Sequence, residues 1–273
     1  MAAVSLTGCG VIDAQATGRD LTPAGSWKQI GKSAVNSLTG GEGIATAADG
    51  SVIKRGLGSI PLAVRREGFN HIGDLDIAEN YTFDSYQGPK ENSPKMFLVT
   101  DGAGKRLEYR HSLDPGELFN NSFDTVSPDG QWMVSGEFGI QRRLQVFPTP
   151  VLNKSTLSDG GPLKQAGPIN LDVDVQNIQG CDFFSSQRLV CTSDNADKDV
   201  LQVDLLRPID GKPTTGKVTK LFSIPQISKC SGTFEAEAVD YDTESKTLRT
   251  GIISPGLCKA VTNIFSFRWV PSE

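Results

Sequence analysis

The stretch Asn121-Ser122-Phe123-Asp124-Thr125-Val126-Ser127-Pro128-Asp129-Gly130-Gln131-Trp132-Met133-Val134-Ser135-Gly136-Glu137 decides how the rest of the chain is read. A polar lead-in is followed by an acidic residue and a short apolar run. Ser127-Pro128-Asp129-Gly130 then supplies turn chemistry, because proline presets φ near −65° and glycine accepts the positive φ that closes a tight turn. A second β-rich run starts at Gln131. Strand, turn and strand in this order predict an antiparallel hairpin.

The same pattern begins at four other places: Gly41-Glu42-Gly43-Ile44-Ala45, Gly73-Asp74-Leu75-Asp76-Ile77, Gly180-Cys181-Asp182-Phe183-Phe184 and Ala236-Glu237-Ala238-Val239-Asp240. Turns follow at Asp49-Gly50, Ser185-Ser186-Gln187 and Asp242-Thr243-Glu244-Ser245-Lys246. A recurrence of about 40 to 50 residues is the length of a four-stranded propeller blade; only the first unit is shorter. Further runs, such as Lys95-Met96-Phe97-Leu98-Val99-Thr100 and Arg106-Leu107-Glu108-Tyr109-Arg110, fill the intervals as strands. The expected fold is all-β: a β-propeller of five blades, with six blades as the alternative count and a β-sandwich as the competing architecture. The last unit lacks an outer strand, and Ser26-Trp27-Lys28-Gln29-Ile30 is the predicted closing strand.

Composition narrows the function. The 273 residues are 37% hydrophobic and carry 27 basic against 32 acidic side chains, for a net charge of -5 without a basic stripe. Such a chain buries a sizeable core and reads as one domain over 26–273. Nucleic-acid binding is disfavoured, and no apolar run is long enough for a transmembrane helix. Leu6-Thr7-Gly8-Cys9 matches a bacterial lipobox, although a charged n-region and most of an apolar h-region are missing before it. Residues 1–25 are therefore read as a lipobox with Cys9 as the acylated residue, followed by a polar tether; a spare thiol on a trimmed tail is the other reading. Any membrane attachment runs through Cys9, and the expected location is extracytoplasmic, secreted or anchored at the bacterial cell surface.

Setting Cys9 aside leaves four cysteines, an even number that suits exported disulfides. Cys181 and Cys191 flank a predicted hairpin whose ends lie side by side. Cys230 and Cys258 form the second pair, closing a loop worth about 3 kcal/mol in the chain-entropy picture. A zinc site is disfavoured, since no C-x-x-C spacing occurs and the two histidines, His71 and His111, lie far away.

Inner strands of a propeller line its axis, so acidic residues where they begin converge on one mouth. Glu42, Asp74, Asp124, Asp182 and Glu237 are the candidates, with Asp76, Glu235, His71 and Asn121 close by. Crowded carboxylates call for a divalent cation, for which hard oxygen ligands select Ca2+, or for raised pKa values. The plainer reading gives these carboxylates only backbone amides to bind. His71, within Asn70-His71-Ile72-Gly73-Asp74-Leu75-Asp76, is the candidate general acid or base; a structural hydrogen bond is its other role. No nucleophile elbow, Walker or dinucleotide-binding pattern is present.

Residues 121–137, with Gln179-Gly180-Cys181-Asp182-Phe183 and Phe234-Glu235-Ala236-Glu237-Ala238-Val239-Asp240-Tyr241-Asp242, make the chain resemble uncharacterised secreted bacterial propeller proteins. Glu42-Gly43 is similar, more distantly, to the Glu-Gly pair of gluconolactonase and regucalcin-like calcium propellers. That resemblance implies a channel metal held by Glu42, Asn121 and Asp182, and lactone hydrolysis. Two expectations follow: a propeller that binds a small molecule or a surface partner at an acidic channel mouth, or a calcium-dependent hydrolase or lactonase.

Overall fold

The computed structural model describes residues 24–272; the lipobox, with Cys9, lies outside them. Strand β1 (Gly25–Asn36) opens the chain and is followed by the hairpin β2 (Gly43–Thr46) and β3 (Val52–Arg55). A second unit holds β4 (His71–Ala78), β5 (Tyr81–Gln87), β6 (Lys95–Asp101) and β7 (Arg106–His111). A third holds β8 (Asp124–Val126), β9 (Trp132–Ser135) and β10 (Ile140–Pro148); the short β11 (Gly161–Pro162) then lies along β7, and β12 (Ile169–Gln176) completes the third unit. A fourth unit runs β13 (Ile178–Ser185), β14 (Arg188–Ser193), β15 (Asp199–Leu205) and β16 (Thr214–Ser223), and the last runs β17 (Glu235–Asp242), β18 (Thr247–Ile253) and β19 (Val261–Pro271). The protein is all-β with antiparallel units, and a short parallel pairing of β12 with β16 joins the third and fourth into one sheet.

Within each unit the first strand lies innermost. Those strands touch in a closed circuit, β2 on β4, β4 on β8, β8 on β13, β13 on β17 and β17 back on β2. Sheets standing around a shared axis form the β-propeller arrangement.

Adjacent units are held by separate apolar clusters. Phe83, Phe97 and Tyr109 meet Met133 and Phe147 between the second and third units, and Phe123, Leu144 and Val146 meet Leu189 and Leu201 between the third and fourth. Val190 and Val200 meet Leu248 and Phe265 between the fourth and last. The first unit has thinner seams: Ile44 with Ala238 and Ile264 on one side, and Ile60, Val64 and Phe69 of the connection into β4 covering Ile72, Tyr86 and Met96 on the other. Inner strands buried on both faces carry near-continuous apolar and small residues, whereas β7 alternates buried Leu107, Tyr109 and His111 with partly or fully exposed neighbours.

The N-terminal strand pairs with β19 from Gly25 opposite Pro271 to Asn36 opposite Val261, longer than the five residues read as a closing strand. Trp27 anchors it, stacking on Phe184 at 5.6 Å between ring centroids and meeting Tyr241 and Trp269 edge-on. Both cysteine pairs are joined: Cys181 with Cys191, directly opposite in the β13–β14 ladder, and Cys230 with Cys258. Disulfides form and persist in oxidising environments. Among the described residues no helix is long and apolar enough to cross a membrane.

Candidate functional site: the acidic channel mouth

Two inner strands carry β-bulges at the level where the axis narrows. The β4–β5 register shifts between Ile72 and Leu75, and the β17–β18 register between Ala236 and Val239. A bulge breaks strict alternation and re-aims a side chain. Asp74 occupies the first bulge and Glu237 the second, so both leave the sheet plane.

Asp74 reaches across the axis. Its Oδ1 accepts the Ile44 N–H of β2 at 2.9 Å, and its Oδ2 accepts the Val239 N–H of β17 at 2.9 Å. The approach depends on Gly180, where a Cβ would stand 2.3 Å from Asp74 Oδ2. Around Asp74, three further carboxylates each accept an amide of the next inner strand: Asp76 from Val126 at 2.6 Å, Asp182 from Tyr241 at 2.6 Å, and Asp240 from Thr46 at 2.8 Å. Thr125 of β8 joins this ring with its hydroxyl, between Asp76 and Asp182. Inner strands of a propeller have no continuous ladder between units; here acidic side chains supply the missing backbone partners.

Burial opposes the charge of these groups. It raises Asp74 and Asp182 well above the usual carboxylate range and Asp76 from 3.8 to about 6, while their amide donors pull the other way. Asp124 is the exception among the four strands: it is 1% exposed, neither of its oxygens finds a hydrogen bond, and burial followed by the charges of Asp84, Asp76 and Asp74 pushes it well up.

Above this layer, at the mouth where the inner strands begin, lies a hollow of about 290 Å³ lined by His71, Gln87, Asn120, Ser122, Phe138, Gln179, Glu235 and Glu237. Glu42 stands beside it, its Oε2 4.0 Å from His71 Nε2. No lysine or arginine lines the hollow. Burial, then the charge of Glu235, raises Glu42 from 4.5 to about 7. Glu237 is raised well above its ordinary value by burial, then by the charges of Glu42 and Glu235. The half-exposed His71 ring is pushed down by the protein crowding it, which favours neutral imidazole. Burial and mutual repulsion thus favour the protonated form of Glu42 and Glu237.

The sequence candidates therefore divide by depth. Glu42, Glu237 and His71 gather at the mouth. Asp74 and Asp182 lie on the axis with both oxygens engaged by backbone amides, and Asp124 is buried beside Asp84. Asn121 points sideways, donating to the Met96 carbonyl at 3.1 Å and accepting from Ser135 Oγ at 2.7 Å. Glu42, Glu235 and Glu237 have carboxylates without a hydrogen-bond partner among the described residues, but their oxygens do not all lie within 4.8 Å of one another, as ligands of one metal ion would; Asp74 and Asp182 are held by backbone amides. Asn120, Phe138 and Gln179 were not read as site residues in the sequence; Phe138 lies in the 136–139 connection and Gln179 at the register shift that opens β13, where only the strand pairing reveals a shared mouth.

A second polar cluster lies between the second and third units. Lys95, fully buried, stands 3.4 Å from Glu137 and 3.8 Å from Glu117, and Gln145 accepts from it. His111 faces Glu117 at 2.8 Å and the Leu163 carbonyl at 3.0 Å. His111, Asp114 and Glu117 bring possible ligand atoms within 4.8 Å of one another; Lys95 stands beside that glutamate, pushed down by burial while Glu137 and Glu117 pull it back up, and the cluster joins the two units through buried polar contacts.

No family model matches the sequence, and no curated protein does. Among solved structures the chain is similar to a gluconolactonase of Xanthomonas campestris, at 14% identity over 81% of this chain and 64% of that one, with a TM-score of 0.43. It is also similar to the major Malassezia sympodialis allergen Mala s 1, at 12% identity over 72% and 55% with a TM-score of 0.42. A third is a PQQ-bound aldose sugar dehydrogenase of Streptomyces coelicolor, at 8% identity over 91% and 100% with a TM-score of 0.42. The chain spans less than two thirds of the length of the first two.

Proposed function

We propose that this chain is an exported or lipid-anchored β-propeller of five blades that binds a small ligand with a cationic group at the acidic mouth of its central channel. Five inner strands in a closed circuit support the blade count, the first blade being cut to two strands. The paired cysteines support export, and Cys9 would carry the lipid. The observation that carries the binding reading is the meeting of Glu42, Glu235 and Glu237 around one hollow with no lysine or arginine among its lining residues. Carboxylates crowded around a recess repel one another, and an organic cation relieves that repulsion. Isothermal titration calorimetry with agmatine as the probe tests this. Binding that Glu237→Gln weakens at least tenfold is expected; absence of binding to the wild-type chain at millimolar agmatine would sink the reading.

A second reading, a calcium-dependent hydrolase or lactonase, draws on the His71–Glu42 pair, a neutral imidazole beside a carboxyl that titrates near 7. Such a pair can pass a proton; Glu42, Glu235 and Glu237 are not a group whose ligand atoms all lie within 4.8 Å of one another, so Ca2+ held by all three would require their side chains to turn inward. Ca2+ in place of agmatine in the same calorimeter, with a lactone hydrolysis assay of His71→Ala, separates it: this reading requires both a calcium signal and lost turnover.

A further inference from the structure

The surface around the hollow differs from the opposite end of the molecule. The strand registers place the connections 36–42, 56–70, 88–94, 112–123, 136–139, 194–198, 224–234 and 254–260 at the mouth, because β3 ends opposite Gly43, β5 ends opposite His71, β7 ends opposite Lys95, β9 runs up to Ser135, β14 ends opposite Ile178, and β18 ends opposite Glu235. Six of these eight connections carry one large exposed apolar side chain: Leu38, Leu62, Leu118, Phe138, Ile227 and the fully exposed Leu257; 88–94 and 194–198 carry none. At the other end, the hairpin turns 47–51, 79–80, 102–105, 127–131, 186–187 and 243–246 carry none, and only the longer connections hold Leu157 and Leu206. Apolar groups grouped on one face and surrounding a polar recess mark an interaction surface.

We infer that this face docks an extended polypeptide segment, with a lysine or arginine side chain entering the Glu42–Glu235–Glu237 hollow and flanking apolar residues lying on the rim. The inference rests on the cation reading of the hollow and names its ligand class. Two observations select a chain over a small molecule. A recess of about 290 Å³ accepts one side-chain head, yet the apolar residues stand on six separate loops around it, so an occupant touching several must span the face. The rim is also preorganised on the side of Glu235: the Cys230–Cys258 bond ties the loop bearing Ile227 to the turn bearing Leu257, and Gly232 and Gly256 take the positive φ values, 128° and 55°, that these tight paths require. Fixing a contact surface before binding lowers the ordering cost of association. Charge complementarity then sets which residue sits at the centre, and the rim sets its neighbours.

The test pans a random dodecapeptide phage library against the oxidised full chain and follows a synthetic copy of the most enriched peptide by calorimetry. Enriched sequences with a Lys or Arg flanked by at least two Leu, Ile, Phe or Trp residues are expected, with binding competed by agmatine. Replacing the central basic residue by citrulline or norleucine is expected to weaken the peptide at least tenfold, and Leu257→Ser combined with Ile227→Ser to lower the ratio of peptide to agmatine affinity about tenfold. Enrichment without a basic residue, or a ratio unmoved by the rim substitutions, overturns the inference. Agmatine binding without any peptide binding overturns it too but leaves the small-ligand reading standing, whereas loss of both removes the two together.

Discussion

Asp74 and Glu237 each lie in the β-bulge of an inner strand, Asp74 as the second of its two bulged residues and Glu237 as the first, each buried, each pushed well above the usual carboxylate range. Asp74 accepts backbone amides from two other strands, whereas Glu237 has no hydrogen-bond partner for its carboxylate among the described residues and faces two other glutamates. The same side-chain chemistry is thus stitched to backbone amides at one level of the axis and left without donors at the level above. What separates the two carboxylates is the supply of amide donors, set by their place in the bulge and by which inner strand lies within reach.

The difference breaks most visibly under substitution at depth. Asp74→Ala strands the amides of Ile44 and Val239 without acceptors, and at about 1–3 kcal/mol for each buried donor the expected loss is about 4 kcal/mol in urea unfolding. A loss below 1 kcal/mol would show that the axial carboxylate is not a stitch. Gly180→Ala should cost about 2 kcal/mol by the same assay, since its Cβ would stand 2.3 Å from Asp74 Oδ2 and must displace it; combined with Asp74→Ala the cost should shrink, because the obstacle is gone.

Stability against pH sharpens the contrast. Glu42 and Asp76 have folded values raised from 4.5 to about 7 and from 3.8 to about 6, so the folded chain holds protons that the unfolded chain releases. Stability from these groups is greatest at low pH and falls as pH rises from about 4 through 7. Urea midpoints taken between pH 5 and 8 should decline, and Asp124→Asn, which removes the unpartnered buried carboxyl, should flatten the decline. A midpoint that climbs over this range would reverse the assignment. The smallest effect belongs to the mouth: Glu237→Gln should leave stability within about 1 kcal/mol of wild type or raise it, because it removes repulsion without stranding a donor.

Much of this was legible in the chain. An acidic residue at the start of each inner strand was visible in all five units, and the missing outer strand of the last unit pointed to Ser26-Trp27-Lys28-Gln29-Ile30 as the closing strand. The cysteine pairs followed from hairpin geometry and even number. Depth was not legible. Asp74, Asp182 and Glu237 look alike in sequence, and only the bulges and the glycine at 180 decide which reach across the axis. Asp240 was passed over as an acceptor because its donor, Thr46, lies 194 residues away. Asn121 resembled a ligand by position, but its amide is turned to Met96 and Ser135, an orientation that strand spacing does not encode.

Agmatine affinity measured by calorimetry from pH 6 to pH 8, in two buffers of different ionisation enthalpy, tests the central claim most directly. If the mouth glutamates hold protons that a cation displaces, affinity rises across pH 7 and binding releases protons in the lower half of the range. Affinity that is flat or falls with pH, with no proton release, would contradict a mouth built to exchange protons for a positive charge.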